Sequence, residues 1–119
     1  MRKLKNTTLG GKNMAEKFYV TTPIYYPSGK FHIGTAYTTT LANTIKKYKQ
    51  ERGYDAYFLT GMDEHGQKVE QVALQKGKTP QEHVDEMAES AEKLWKLMEI
   101  ENDDFIRTTQ PRHEKVVAE

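Results

Sequence analysis

The sequence predicts an α/β domain in which parallel strands alternate with helices, and three observations support this fold class. Residues 18–22 form a short apolar and β-branched run, which is typical of a buried strand. Apolar residues then recur at helical spacing from Ile33 to Tyr48, and residues 54–60 form a second strand-like run. A strand, a helix and a second strand in this order indicate a right-handed parallel βαβ unit.

The length and composition fit one small domain or a part of a larger protein. The 119 residues are 36% hydrophobic and 29% charged, as in ordinary globular chains. The net charge of +1 predicts no strong nonspecific attraction to nucleic acid or membranes. The sequence has no cysteines, which excludes disulfides and thiolate zinc sites, and it has no apolar run of membrane-spanning length. We expect a cytoplasmic location.

The first 13 residues differ from the rest of the chain because they show no apolar periodicity. They also lack the apolar segment of a secretory signal. A purine-rich ribosome-binding site that is translated in frame, just before a start codon, would give residues like 10–13 followed by Met14. We therefore expect residues 1–13 to be a disordered leader or an upstream extension, with the natural chain beginning at Met14.

The first predicted helix spans about residues 33–52, and Gly53 is placed to cap it. Its C-terminal turns carry four basic residues, namely Lys46, Lys47, Lys49 and Arg52. Positive charge at this end complements the helix dipole. We interpret the basic cluster as a solvated helix end.

A short helix over residues 68–76 and a long helix follow the turn at residues 61–66. Gly77 stops the short helix, and Thr79 with Glu82 forms a capping box that opens the long one, which ends near Glu99. One face of the long helix is apolar and is expected in the core: Val84, Met87, Ala88, Ala91, Leu94, Trp95 and Met98. Its acidic residues and His83 are expected at the surface.

A brief third strand over residues 105–108 and a helix that starts at Pro111 complete the sequence. The last helix reaches Glu119 without a cap or stop signal. This pattern predicts that the sequence is cut within a helix.

The connection between the first strand and the first helix is the first candidate ligand site. Ligands of parallel sheets bind beyond the carboxyl ends of the strands. His32 and Gly34 lie where the helix begins, and the free N–H groups and partial positive charge of a helix N-terminus favour phosphate. Gly34 allows a close approach to the backbone, and His32 adds a hydrogen-bond donor. These features predict a nucleotide-phosphate site.

The turn after the second strand adds a carboxylate to this end of the sheet. Asp63 is placed to neutralise an ammonium group or to bind a ribose hydroxyl. Ile24 and Tyr26, just after the first strand, would supply apolar and aromatic walls. This combination fits an apolar amino acid that is held by its α-ammonium group.

Other polar and aromatic residues have plainer interpretations. Asp63, Glu64 and His65 are adjacent in sequence and do not converge on one ion, so we expect no metal site there. Glu64 and His65 are expected to cap the following helix or to support Asp63. Three tyrosines are expected to pack rather than bind ligands: Tyr19, Tyr25 and Tyr57.

Two separated motifs carry a resemblance to a known family. PIYYPSGKFHIGT followed by FLTGMDEHGQK resembles the N-terminal catalytic region of bacterial methionyl-tRNA synthetases, which are class I aminoacyl-tRNA synthetases. The resemblance extends over residues 17–119. It implies that residues 14–119 form the first half of a Rossmann-type, parallel-sheet nucleotide-binding domain. It further implies that methionine and ATP, with Mg²⁺, react to methionyl-adenylate, from which methionine is transferred to tRNA(Met).

The resemblance also implies roles for individual residues. His32, Gly34 and Thr35 match the "HIGH" signature and would be catalytic, and together with Tyr25 they would bind ATP. Four residues would bind methionine: Pro23, Ile24, Tyr26 and Asp63. Thr35 stands where the signature usually has histidine, and its hydroxyl can donate a hydrogen bond but cannot become cationic.

Two other functions stay open at this point. A different enzyme could share the His-x-Gly turn, either another class I synthetase or a small cytidylyl- or adenylyltransferase. A non-catalytic binding module derived from a synthetase is the second alternative. The family's lysine-rich "KMSKS" loop is not in this sequence, so we expect the 119 residues to be inactive alone.

Overall fold

The computed structural model describes residues 7–9 and 12–119, with side chains from residue 15 onward. Strands β1 (Thr7–Leu9) and β2 (Lys12–Met14) pair antiparallel. The predicted disordered leader lies partly outside the described residues, and it stays a prediction. Among the described residues, none of the helices combines the length and the hydropathy of a membrane span.

A three-stranded parallel sheet forms the centre of the described structure. Its strands are β3 (Lys17–Thr21), β4 (Asp55–Met62) and β5 (Asp104–Arg107), and β4 lies between the other two. The α/β class and the parallel pairing are thereby confirmed. Strand β4 continues two residues beyond its predicted end because Gly61 and Met62 pair with β5.

Four helices are described, and local signals account for where they begin and end. They are α1 (Ile33–Glu51), α2 (Gln67–Gln75), α3 (Pro80–Leu97) and α4 (Pro111–Ala118). Both hydrogen bonds of the Thr79–Glu82 capping box are present at the start of α3. Gly53 and Gly77, just past α1 and α2, have φ angles of +87° and +67°, which glycine adopts without strain.

The core lies where the sheet meets α1 and α3. Phe58 of β4 packs with Ala42 of α1 and Trp95 of α3, and Met62 of β4 packs with two buried alanines of α3. The predicted apolar face of α3 is therefore the one that is buried.

Helix α1 turns its apolar stripe away from this core. The stripe that revealed the helix in the sequence is exposed along its whole length: Ile33, Tyr37, Leu41, Ile45 and Tyr48. The buried face consists instead of small and polar residues: Thr35, Thr39, Ala42, Asn43 and Lys46. The periodicity thus located the helix correctly without identifying the side that packs on the sheet.

The basic end of α1 is only partly a solvated cluster, so that interpretation was wrong for Lys46. Its side chain is buried, with Nζ 2.9 Å from the Asp103 carboxylate and 2.5 Å from the Glu101 carbonyl oxygen. Lys49 lies over the rings of Phe18 and Tyr54. These contacts join α1 to the sheet and to the segment before β5.

The surface assignment of His83 was also wrong, whereas the packing expected of Tyr19 and Tyr57 is present. His83 was expected at the surface, yet it is 1% exposed because α3 turns it toward the loop before α1. Tyr19 and Tyr57 do pack, but on each other on an exposed face of the sheet, with ring centroids 6.0 Å apart.

Candidate functional site

The two motifs that stand out in the sequence are joined by backbone hydrogen bonds. The N–H of Tyr25 donates to the Gly61 carbonyl at 3.0 Å, and the N–H of Asp63 donates to the Tyr25 carbonyl at 2.9 Å. Pairing passes from Thr21 opposite Leu59 to Tyr25 opposite Met62, so the first segment contains one residue more than β4 over this distance. The extra length forms a bulge beside the end of β4.

The bulge contains two of the predicted methionine-binding residues. Pro23 and Ile24 are both exposed there, and Ile24 is 40% exposed. Asp63 is half-buried and directly follows Met62, the last residue of β4. The structure therefore brings the backbone of these three residues to the same end of the sheet.

Tyr25 anchors this arrangement to α1. Its hydroxyl lies 2.7 Å from Thr39 Oγ1, and Thr39 in turn donates to the Thr35 carbonyl at 2.9 Å. Because the Thr39 proton is used in this way, the Tyr25 hydroxyl donates to Thr39. The Tyr25 ring also packs against Phe31 and Trp95, which confirms the expected packing role. Thr39 is a supporting residue that sequence analysis missed.

His32 is the N-cap of α1 and is exposed. Its Nδ1 accepts a hydrogen bond from the Gly34 N–H at 3.1 Å. In the neutral ring the proton therefore resides on Nε2, and Nε2–H is left as a donor. The site thus offers a histidine whose tautomer is set by the backbone of its own helix.

Gly34 also has a local role that the sequence did not suggest. Its N–H donates to His32 Nδ1, so it is not one of the unpaired N–H groups expected at the start of α1. A Cβ atom at Gly34 would lie 2.9 Å from Cε1 and 3.0 Å from Nδ1 of His32. Gly34 therefore permits the close approach of the histidine ring that forms the cap.

A cavity of about 260 Å³ lies beside this helix start. It is lined by the loop and the first turn of α1: Tyr25, Tyr26, Ser28, Gly29, Lys30, Phe31, His32 and Thr35. Three of the four predicted ATP-binding residues are in this lining, and Gly34 is not. Thr35 is buried. Lys30 is an exposed cation of the lining that sequence analysis did not single out.

Tyr26 connects the loop to the turn after β4. Gly66 has a φ angle of +127°, and a Cβ atom there would lie 2.8 Å from the Tyr26 hydroxyl oxygen. Gly66 therefore leaves room for Tyr26 to cross to the turn that carries Asp63. Of the four predicted methionine-binding residues, Tyr26 lines the 260 Å³ cavity, whereas Pro23, Ile24 and Asp63 lie outside its lining.

Glu64 forms a buried ion pair and does not cap the following helix, which was one of the two roles expected for it. Its Oε1 accepts from Arg107 Nε at 2.7 Å, and its side chain is fully buried. Oε2 accepts from the Thr109 hydroxyl at 2.5 Å, while no side-chain cap is present at α2. Glu64 thus ties the turn after β4 to the end of β5, next to Asp63.

Arg107 extends this network to α3. Its guanidinium also lies 2.5 Å from Asp85 Oδ1, so Asp85 is more than part of a solvated acidic face. Burial acts to lower the pKa of Arg107, but hydrogen bonds to Glu64 and Asp85 raise it above its usual value. The same hydrogen bond from Arg107 lowers the pKa of Asp85.

Among the residues with described side chains, no group of three histidine or acidic residues is placed to hold a metal ion. Three exposed or half-buried polar groups lie separately at this end of the sheet. Asp63 is the half-buried carboxylate, His32 is the capping histidine and Lys30 is the cation of the cavity.

Comparison with known proteins identifies the family. The profile described as "tRNA synthetases class I (M)" matches residues 18–119. The chain belongs to the class I tRNA synthetases. The three-stranded sheet with its helices is accordingly part of the Rossmann-type catalytic domain of this family, as the sequence predicted.

Relatives in this synthetase family are similar over most of the chain. The methionine–tRNA ligase of Oceanobacillus iheyensis is 58% identical over 102 residues, which are 86% of this chain and 15% of the relative. That of Bacillus subtilis is 59% identical over 100 residues, or 84% of this chain and 15% of the relative. The chain thus spans about 15% of the length of these curated relatives.

A solved synthetase structure shares the fold. The structure of Mycobacterium tuberculosis methionyl-tRNA synthetase in complex with methionyl-adenylate has a TM-score of 0.82 and 36% sequence identity. It covers 84% of this chain, which corresponds to 20% of that protein.

Proposed function

We propose that the complete synthetase carrying this chain activates methionine with ATP and transfers it to tRNA(Met). The observation that carries the proposal is the 58% identity to methionine–tRNA ligases over 86% of the chain. The likeness to a solved methionyl-tRNA synthetase that holds methionyl-adenylate supports it. Such a protein acts in translation, and we place it in the cytoplasm.

The proposed chemistry starts with the attack of the methionine carboxylate on the α-phosphorus of ATP. Methionyl-adenylate forms and pyrophosphate leaves, and the 3′-terminal adenosine of the tRNA then accepts the methionyl group. Mg²⁺ enters with ATP as part of this substrate. The protein contributes positioning and charge stabilisation rather than a covalent intermediate.

We assign the ATP side of the reaction to the start of α1. His32 Nε2–H donates to a phosphate oxygen, because Nδ1 is occupied by the Gly34 N–H. Gly34 keeps the histidine ring in place, and the partial positive charge of the helix N-terminus stabilises phosphate. Thr35 and Tyr25 belong to the lining of the cavity.

We assign the methionine side to the bulge and the turn after β4. Asp63 pairs with the α-ammonium group, since it is a half-buried carboxylate held to Tyr25 through its backbone N–H. Pro23, Ile24 and Tyr26 provide the apolar and aromatic surface for the side chain. The hydrogen bonds between Tyr25 and the end of β4 keep both substrate sites adjacent.

The test is methionine-dependent exchange between ATP and pyrophosphate in the complete synthetase. Asp63→Ala should raise the KM for methionine roughly 10- to 150-fold, which is the effect of losing one charge-assisted hydrogen bond. The KM for ATP should change much less, because Asp63 lies outside the cavity at His32.

Asp55→Ala is the matched control, because Asp55 is an exposed carboxylate at the opposite end of the same strand. It should leave the KM for methionine unchanged. Exchange that depends on leucine or glutamate but not on methionine would overturn the proposed substrate. An unchanged KM for methionine in Asp63→Ala would remove Asp63 from the site.

A further inference from the structure

We propose that His83 is a positioning residue for the ATP site and acts by holding the loop of residues 26–31. This loop is called the cavity loop below, because most of its residues line the 260 Å³ cavity. The proposal deepens the proposed function and rests on it, since its kinetic effect requires that the cavity binds ATP.

The contact that carries the proposal is buried and directional. His83 lies in the first turn of α3 and is 1% exposed. Its Nε2 is 2.9 Å from the carbonyl oxygen of Pro27, 56 residues earlier in the chain. A carbonyl oxygen only accepts, so Nε2 carries the proton and donates it. The Pro27 side chain is fully buried as well.

The cavity loop makes few other hydrogen bonds in the part of the chain that the structure describes. Before the loop, Tyr25 is bonded to Gly61 and Asp63, and after it His32 begins α1. Within residues 15–119, the His83–Pro27 bond is the one hydrogen bond that links the loop to another element, while Ser28 N–H donates inside the loop to Tyr26.

Apolar packing alone does not fix the loop in the same way. Phe31 packs against Tyr25 and Trp95 with ring centroids 6.5 and 5.9 Å apart. Such contacts are tolerant of small shifts because the hydrophobic effect is non-directional. A hydrogen bond constrains both distance and angle, so the bond from His83 fixes the position of the Pro27 carbonyl.

The position of Pro27 matters because its neighbours form the cavity. Tyr26 and Ser28, the residues on either side of Pro27, line it together with His32 and Thr35. Helix α3 is a rigid support, since its capping box and buried apolar face fix it. A site is held in a productive geometry by such supporting contacts. His83 therefore stabilises the shape in which His32 meets ATP.

The test compares three forms of the complete synthetase, the parent and the variants His83→Phe and His83→Gln. His83→Phe keeps an aromatic ring but removes the donor, whereas the glutamine amide can donate from nearly the position of Nε2. We expect His83→Phe to raise the KM for ATP about three- to tenfold, the effect of one lost neutral hydrogen bond. The KM for methionine should rise less than the KM for ATP, because only Tyr26 of the proposed methionine-binding residues lies in the cavity loop. His83→Gln should restore most of the affinity for ATP.

Hydrogen exchange of the loop amides gives a second readout that does not depend on activity. The amides of residues 28–32 should exchange faster in His83→Phe than in the parent, and those of β4 should not. If His83→Phe does not fold, His83→Met takes its place, since it also removes the donor. His113→Phe is the control, because His113 lies on α4, outside the cavity loop and α3.

The outcomes separate this inference from the proposed function. An unchanged KM for ATP together with unchanged loop exchange in His83→Phe would overturn the role of His83. Equal loss in His83→Phe and His83→Gln would also overturn it, because the residue would then act by packing alone. A parent protein without methionine-dependent exchange would overturn the proposed function, while faster loop exchange in His83→Phe would still support the structural tie.

Discussion

At the residue scale, two glycines determine how close the site residues come to each other. Gly34 makes room for the His32 ring, and Gly66 makes room for the Tyr26 hydroxyl. Gly34 contacts a residue of its own helix start, whereas Gly66 contacts a residue of the loop before α1. A side chain at either position would displace a residue of the site before it disturbed the core.

The first prediction concerns Gly34→Ala in the complete synthetase. The new methyl group would lie within 3.0 Å of two ring atoms of His32, so the ring must move and the Nδ1 cap is lost. We expect kcat/KM for ATP in the exchange assay to fall at least about tenfold, which corresponds to about 1.4 kcal/mol. The free energy of unfolding should fall by about 1 kcal/mol, the usual effect of losing a cap.

Thr44→Ala is the control for this substitution. Thr44 lies on the exposed side of the same helix, three turns from His32, and its hydroxyl bonds only to its own helix. It should leave the exchange kinetics unchanged. If Gly34→Ala keeps parental kinetics, the close approach of His32 and Gly34 has no role in ATP binding.

The residue scale also shows what a sequence cannot reveal about polar side chains. Lys46, Glu64 and His83 carry no local signal of burial, because lysine and glutamate are rarely buried without a partner and histidine is found both inside and outside the core. Each is buried here because a partner distant in sequence satisfies it, namely Asp103, Arg107 and the Pro27 carbonyl. No local pattern encodes these partners, whereas His32, Gly34 and Asp63 could be proposed as site residues from their motifs alone.

At the element scale, ion pairs connect the two ends of β5 to helices α3 and α4. The second prediction concerns Arg107→Met, which removes the partner of the fully buried Glu64. An uncompensated buried carboxylate is costly, so the free energy of unfolding should fall by about 3 kcal/mol. Urea denaturation of the chain measures this change.

An exposed pair on α3 provides the comparison. Lys93→Met removes the partner of Glu89, and both side chains of that pair are more than half exposed. Its cost should be below about 0.5 kcal/mol. Equal costs for the two substitutions would contradict the importance assigned to burial of the Glu64–Arg107 pair.

The third prediction concerns acid and the contact between β5 and α4. Arg112 donates to both carboxylate oxygens of Asp104, and this hydrogen bonding lowers the pKa of Asp104. A carboxyl group whose pKa is lower in the folded state stabilises the fold above its unfolded pKa of about 3.9. This stabilisation is lost as the pH falls through the folded pKa.

The free energy of unfolding should therefore decrease below about pH 4, and less steeply in Asp104→Asn than in the parent. Arg112→Met should flatten the profile similarly, because it removes the main cause of the shift. Denaturation curves between acid and neutral pH measure this dependence. The contact would have no role in acid sensitivity if both variants kept the parental slope.

The elements themselves were predictable because their signals are local. Pro80 with the Thr79–Glu82 box, Gly53 and Gly77 set helix ends whatever the rest of the chain does. The end of β4 was less predictable, since Gly61 and Met62 extend the strand only because β5 pairs with them. Short-range chemistry thus defines the helices, and long-range pairing completes the sheet.

At the scale of the whole molecule, the sequence predicted the fold class but not the orientation of α1. The apolar period of Ile33, Tyr37 and Leu41 identified a helix, and a buried face would be the usual reason for such a period. Here the sheet is covered by the opposite face, where small residues such as Ala42 and Thr39 let the helix approach closely. Periodicity reports that two faces differ, and only packing decides which of them is buried.

The last prediction follows from this exposed stripe. Tyr37 and Leu41 are 70% and 49% exposed, so replacing both by lysine should change the free energy of unfolding by less than about 0.5 kcal/mol for each. An exposed apolar patch of this kind promotes association. The double variant of the 119-residue chain should therefore stay monomeric at higher concentration than the parent in sedimentation velocity.

Ala42→Lys, one position further along on the buried face, should instead lower the free energy of unfolding by several kcal/mol, since it buries a charge. Equal destabilisation by the stripe variant and by Ala42→Lys would mean that the apolar stripe, and not the small-residue face, packs on the sheet.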